Sequence, residues 1–369
     1  MDPRYEKVQH RRITEIIKRR IVKGKYNASH KMPSENELLK EFNVSKNTLL
    51  KALNALINQG YIIRKQGSGT FVAPSVEERR NKKIAVIAYH ADNPYYSKII
   101  RAVEDHAFLK GFGVVLCNSK GSSEKESEYV ERFISQVDGF IVSPAEQNAE
   151  YSTGIRNIVE SETPLVLISH TNLNQLTSRT NYVIPDNCAG GFLAGKHLTE
   201  CGYEKIKILL IGDLMTREDI KERIKGFRLA MMQAGIPFDD SSILKSQGTD
   251  PDNGYMKDAY DMSAKIAAEA ENSSVGVFTI TDQIAIGLLK GLRERGIDVP
   301  GQVGICGFDD IELSSQWGID LTTIAQDVSR IGKCSAEIIF SILENPEDNP
   351  PLQQMVLPVE LKIRKTTRK

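Results

Sequence analysis

Apolar residues change their period twice along this chain, and each change marks a different kind of structure. Between Pro33 and Gln59 they recur at helical spacing: Leu38, Leu39 and Phe42, then Leu49, Ala52, Leu53, Leu56 and Ile57. Ser34, with Glu37 three residues later, forms a capping box and predicts a helix over about Glu35 to Phe42. Asn43 tolerates a left-handed turn, Val44 plugs the core, and Ser45 caps a second helix running to about Gln59. Gly60 stops that helix. YIIRKQGSGTFV then alternates with period two around Gly67-Ser68-Gly69 and reads as a two-stranded hairpin. Helix, turn, helix and hairpin in this order predict a winged helix-turn-helix over residues 1–73.

The first residues of such a second helix point at base edges, and here Ser45, Lys46, Asn47 and Thr48 all carry hydrogen-bonding side chains. The hairpin tip, Gln66, Gly67 and Ser68, suits a minor groove or a phosphate. A surface hairpin on a small helical domain is the plainer alternative. The segments PSENEL, NVSKNTLLKAL, QGYI and QGSGTFV, within residues 4–73, resemble the winged-helix domain of the GntR family of bacterial regulators. That resemblance implies further DNA contacts at Arg4, Tyr5, Ser34 and Asn36. Family members usually carry an arginine where this chain has Leu50, so Lys51 is expected to replace that contact only in part.

Charge sharpens the division. The first 83 residues hold 19 lysines and arginines against 8 acids, whereas the rest of this formally neutral chain holds 29 against 40. A basic module attached to an acidic remainder is drawn to phosphates, with an affinity that falls as salt rises. PSVEERRNKK, residues 74–83, lacks apolar periodicity and reads as a linker.

Beyond it, apolar strands alternate with amphipathic helices: KIAVIAY, a helix from about Tyr95 to Lys110, GVVLCN, a helix over Glu124 to Gln136, GFIVSP and PLVLIS. A second series repeats the layout: KILLIG, a helix around Glu222 to Ala234, SVGVFTIT, a helix over Asp282 to Arg295, and VGICGFDD. This alternation predicts two α/β lobes with parallel sheets, and such sheets bind ligands beyond the carboxyl ends of their strands.

The segments following those strands, HADNPYYSKII, DLMTREDIKERIKGF, TDQIAIG and FDDIELSS, together with LTTIAQD and LPVELKIRKTT, resemble the effector-binding core of the LacI family, itself similar to periplasmic sugar-binding proteins. The implied fold is a two-lobed, Rossmann-like core of the type I periplasmic-binding-protein kind over residues 84–369. Three crossings between lobes are implied, with lobe one at about 84–186 and 327–350 and lobe two at about 187–326 and 351–367. The resemblance places a stacking aromatic at Tyr95 and Tyr96, arginine forks at Arg217 and Arg223, a hydroxyl-accepting carboxylate at Asp309 and an aromatic beside the cleft at Phe278. A sugar presents adjacent hydroxyls to such forks and a weakly apolar face to such rings. Thr281 departs from the asparagine common before Asp282. His90 and His170 are either cleft residues or strand-end surface histidines, and Trp317 is a possible cleft wall.

The joint resemblance implies a bacterial regulator that binds operator DNA as a homodimer and is released by a monosaccharide such as L-arabinose. A sugar- or nucleoside-processing enzyme, or a regulator whose effector is a purine or other non-sugar metabolite, is the alternative. The enzyme reading has thin support: GGFLAGK, residues 190–196, is followed by His197 and falls in an expected helix, so its glycines read as packing residues. No HExxH or GxSxG motif occurs, and no metal site or cofactor is expected. Five cysteines, an odd number, read as buried thiols, and no apolar run approaches a membrane span; a cytoplasmic protein with no membrane partner is expected.

Overall fold

The computed structural model describes residues 3–22, 26, 31–65, 68–73, 82–145, 150–169, 177–212, 217–249, 253, 255–345 and 351–368. Helices α1 (Pro3–Val22), α2 (Glu35–Phe42) and α3 (Lys46–Asn58) lead into strands β1 (Ile62–Lys65) and β2 (Gly69–Val72), paired antiparallel. Ile13, Ile17 and Ile21 of α1 recur every fourth residue and pack with Leu38, Leu49, Leu53 and Leu56 in one core. The expected capping box is present: the Ser34 backbone N–H donates to Glu37 Oε2 at 2.7 Å, and the Glu37 N–H donates to Ser34 Oγ at 3.3 Å. Asn43 ends α2 at φ 47°. One pairing has no counterpart in the sequence pattern. Lys31 bridges to Phe71, and the Met32 N–H donates to the Thr70 carbonyl at 2.9 Å, so the wing gains a third short edge.

The first lobe is a six-stranded parallel sheet in the order β13-β7-β6-β5-β3-β4. Its strands are β3 (Lys83–Ala88), β4 (Gly113–Asn118), β5 (Gly139–Val142), β6 (Leu165–Ile168), β7 (Asn181–Pro185) and β13 (Gln354–Leu357). Their side chains feed two cores, one per face, as expected for a sheet covered on both sides. Helices α4 (Pro94–Leu109) and α11 (Val328–Glu344) cover one face, and α5 (Ser123–Phe133) and α6 (Thr153–Glu160) the other.

The second lobe orders its strands β14-β12-β11-β10-β8-β9, with β14 (Val359–Lys362) antiparallel to β12 (Thr322–Gln326). The others are β8 (Lys205–Ile211), β9 (Ile243–Ser246), β10 (Val275–Thr279) and β11 (Val303–Asp309), flanked by α7 (Asn187–Glu200), α8 (Glu218–Gln233), α9 (Met256–Ala270) and α10 (Asp282–Glu294). The chain passes between the sheets around Asp186, Asp327 and Pro358. The third crossing corrects the boundary expected at 350. Gln354 to Leu357 pair with Tyr182 to Pro185 in the first sheet, because a parallel edge beside β7 is open to them.

Residues 74–81 of the expected linker lie outside the described residues. Gly190, Gly191 and Gly195 sit in α7 as packing glycines. A Cβ at Gly191 would stand 1.9 Å from the Arg223 carbonyl oxygen, and one at Gly226 of α8 1.8 Å from the Cys188 carbonyl oxygen. α7 and α8 therefore cross backbone to backbone. None of the described helices is long and apolar enough to cross a membrane.

Candidate functional site

The carboxyl ends of both sheets face one cleft, lined by Tyr89, His90, Asn93, Tyr95, Tyr96 and Ser169 from the first lobe and by Arg217, Asp219, Ile220, Arg223, Thr281 and Asp309 from the second. About 70 Å³ remains free. Ligand pockets usually offer roughly 300–1,000 Å³, so this closed shape suits only a small molecule.

Its arginines are already paired. Arg217 forks onto Asp219, with Nε to Oδ1 at 3.0 Å and an Nη to Oδ2 at 2.7 Å, and lies 4.5 Å from the Tyr89 ring centroid. Arg223 donates to Asn187 Oδ1 at 2.9 Å and to the Ile280 carbonyl, stands 3.6 Å from Asp309, and covers the Phe308 ring at 3.7 Å. Its position follows from the α7–α8 contact, because Gly191 lets the Arg223 backbone come close. Each of the two cations thus faces a carboxylate across the cleft wall.

Asp309 carries φ 117°, a conformation that costs a non-glycine residue free energy and must be held by its surroundings. Several contacts hold it. Gln326 Nε2 donates to Asp309 Oδ1 at 2.7 Å, and Arg364 clamps the next residue, Asp310, at 2.6 Å. Behind the loop, Asp282 is fully buried and accepts from the Ile311 N–H at 3.0 Å, from Ser314 Oγ and from Thr323 Oγ1. Burial pushes the carboxyls of Asp282 and Asp309 well above the usual range; at Asp309 the cations Arg223 and Arg217 oppose it. Gln326 Oε1 is buried with no hydrogen-bond partner, an acceptor left over at the hinge beside Asp309.

Of the sequence candidates, Tyr95, Tyr96, Arg217, Arg223, Thr281 and Asp309 meet at this cleft, and His90 joins them. Tyr95 and Tyr96 are themselves buried, packed edge to face at 5.0 Å, with the Tyr96 hydroxyl 3.0 Å from Ser143 Oγ. Thr281 caps α10 through the Ile284 N–H. Phe278 is a correction: it is wholly buried, stacked on Phe227 at 5.1 Å, because its position on a central strand points it into the lobe core. Trp317 is 94 % exposed and does not line the cleft, and His170 lies outside the described residues. Sequence reasoning passed over Tyr89, Asn93, Ser169, Asp219 and Gln326. Tyr89, Ser169 and Gln326 end or immediately follow strands whose carboxyl ends were already singled out.

On the basic module, Lys46, Asn47, Lys51, Ser34, Asn36 and Ser68 are exposed, and Ser45 caps α3 by accepting from the Thr48 N–H at 3.2 Å. Thr48 is a second correction. It is 4 % exposed and its hydroxyl meets Ser45 Oγ at 2.8 Å, so it braces the helix start and faces away from solvent. Ser34 likewise spends its hydroxyl on the capping box. Gln66 and Gly67 lie outside the described residues, as do the side chains of Arg4 and Tyr5 on the first turns of α1.

A helix-turn-helix joined to two α/β lobes around a polar cleft defines a transcriptional regulator with an effector-binding core. Comparison with known proteins gives the family. Residues 196–367 match the family described as a periplasmic binding protein-like domain, and residues 9–72 that of bacterial regulatory proteins, gntR family. The HTH-type transcriptional repressor PurR of Pasteurella multocida is 30 % identical over 304 residues, covering 82 % of this chain and 86 % of its own. The arabinose metabolism transcriptional repressor of Halalkalibacterium halodurans is 29 % identical over 346 residues, covering 90 % and 88 %. Among solved structures, a LacI family transcriptional regulator from Enterococcus faecium with bound ribose superposes with a TM-score of 0.64 at 27 % identity, over 77 % of this chain and 98 % of that one. The chain belongs to the LacI/PurR family of transcriptional regulators.

Proposed function

We propose that this regulator is a repressor that reads a two-fold operator as a homodimer, through a GntR-type module at residues 1–73 tethered by 74–83, and is released by a small neutral monosaccharide such as L-arabinose. The paired groups of the cleft carry the reading: Arg217 is already held by Asp219, and Arg223 by Asn187 and Asp309, an arrangement that suits neutral hydroxyls better than a phosphate or carboxylate. The small volume favours a small polyol such as a pentose. The similarity to the arabinose repressor, over 346 residues, is long enough to include module and core together, which supports the GntR-type reader. Operator and operon DNA place such a protein in the cytoplasm.

A thermal-shift screen of L-arabinose, D-ribose, D-xylose, hexoses, their phosphates and purine bases tests this. A neutral pentose should raise the melting temperature of the wild type and leave Asp309→Ala unmoved, while that variant still binds operator. A shift with phosphates or purines alone defeats the neutral-sugar reading. A hundredfold release from DNA requires a coupling of about 2.7 kcal/mol, and operator must then weaken sugar binding equally.

A further inference from the structure

The basic module rests on the first lobe through one helix. Arg12 pairs with Glu160 at 3.3 Å; Lys18 Nζ donates to the Ser135 carbonyl at 3.1 Å; and Arg19 donates to the Ser161 carbonyl. Arg20 reaches Glu162 at 3.4 Å with one nitrogen and holds Glu41 of α2 with another. α1 is therefore shared: Ile13, Ile17 and Ile21 face α3, while four cations on its other side face the lobe.

The acceptors on the lobe share one electrostatic character. Ser161 caps the C-terminus of α6, and Ser135 follows Ile134, the cap of α5. Helix C-termini expose unpaired carbonyls and carry partial negative charge, and basic side chains are their usual partners. Glu160 and Glu162 add two carboxylates at the same corner. Arg20 is 9 % exposed and Lys18 and Arg19 are half-buried, so these cations are covered by protein and withdrawn from any phosphate. Lys46, Asn47 and Lys51 stay exposed in the same arrangement, so the seat leaves the recognition helix open.

We propose that the basic face of α1 is a docking surface that seats the DNA-reading module on the C-terminal ends of α5 and α6, so that the recognition helix is carried as an extension of the first lobe. The orientation of the reader then follows that lobe and is not left to the tether. This goes beyond the choice of effector and holds whichever ligand the cleft takes.

Two measurements on the full-length chain test it. In Arg12→Cys/Glu160→Cys, a short bis-maleimide should join the two positions, as mapped by mass spectrometry, and the yield should fall at high salt, which screens exposed charge. An Asn47→Cys/Glu160→Cys control, with its first thiol on the open recognition helix, should give much less. Equal yields from the two pairs would mean random collision on a free tether and would overturn the proposal. In the second measurement, Glu160→Lys/Glu162→Lys, at two exposed positions, should enlarge the radius of gyration in small-angle scattering at low salt while the core melts as in the wild type. A radius equal to that of the wild type at low salt, with the core intact, also overturns it.

Discussion

Asn93 Nδ2 donates to Gln283 Oε1 at 2.7 Å, a bond that spans the cleft from the start of α4 in the first lobe to the start of α10 in the second. Asn93 Oδ1 is already used, accepting the Tyr95 N–H at 2.9 Å as the cap of α4, which fixes the orientation of the amide. One side chain thus shapes the first lobe and holds it to the second.

Gln283→Ala removes the crossing bond and spares the cap. A hydrogen bond of this kind is worth about 0.5–1.5 kcal/mol net, so the affinity for the pentose found by screening should fall about 2- to 12-fold. Titration calorimetry reads this directly. An unchanged dissociation constant would show that the bond does not favour the closed cleft.

Gly191→Ala tests how Arg223 is positioned. The added Cβ meets the Arg223 carbonyl oxygen at 1.9 Å, so α7 and α8 must separate. Overpacking of this sort costs about 1–3 kcal/mol or more, to be seen as a lower urea midpoint, and the effector response should weaken with it. A variant as stable as the wild type would mean the helices yield freely.

Lys46→Ala and Thr48→Ala should fail differently. Losing the exposed Lys46 should weaken operator binding and reduce the salt slope by about 1. Thr48→Ala should instead lower the stability of the basic module by about 1 kcal/mol, through the lost contact with Ser45, and leave the preferred operator sequence unchanged. A changed sequence preference for Thr48→Ala, found by selection from random duplexes, would contradict its buried placement.

Glu126 gives the first lobe a pH dependence. It is fully buried, accepts from the Ala145 N–H at 2.8 Å and pairs with Ser152 Oγ at 2.5 Å, and burial pushes its carboxyl up to about 7, with those two bonds opposing. A pKa raised on folding means that the folded chain favours the neutral form. The associated stability is present below about pH 4.5 and is lost as pH rises through about 7, amounting to about 3 kcal/mol. Glu126→Gln mimics the neutral form, so its melting temperature relative to wild type should rise between pH 5 and pH 8. A difference independent of pH would show that Glu126 is ionised in the fold.

The cleft was legible where its residues lie in segments that carry the family resemblance: Asp309 ends β11, and Arg217 and Arg223 follow β8, whereas Tyr89 and Ser169 also stand just past strands but carry no such spacing. It was illegible where a side chain's direction decides. Phe278 stands near the carboxyl end of β10, yet its ring packs into the lobe core against Phe227; Thr48 follows two exposed neighbours, yet the helix turns it inward. The sequence pattern also could not separate β13 from β14, since Pro358 is one residue and the sheets lie on either side of it.

By itself, the sequence determined what is local: the Ser34–Glu37 and Ser45 caps, the Asn43 turn, the wing, the strand and helix alternation, and hence a DNA reader joined to two α/β lobes. These follow from hydrogen bonds and periodicities within a few residues. Only the tertiary structure decided that Asn93 meets Gln283, that Arg223 approaches Asp309, and that Arg19 meets the carbonyl of Ser161. Those partners lie 86 to 190 residues apart, and no local free energy selects them; they come together because the apolar faces of two sheets and α1 must be buried, and the polar contacts form where that burial leaves them.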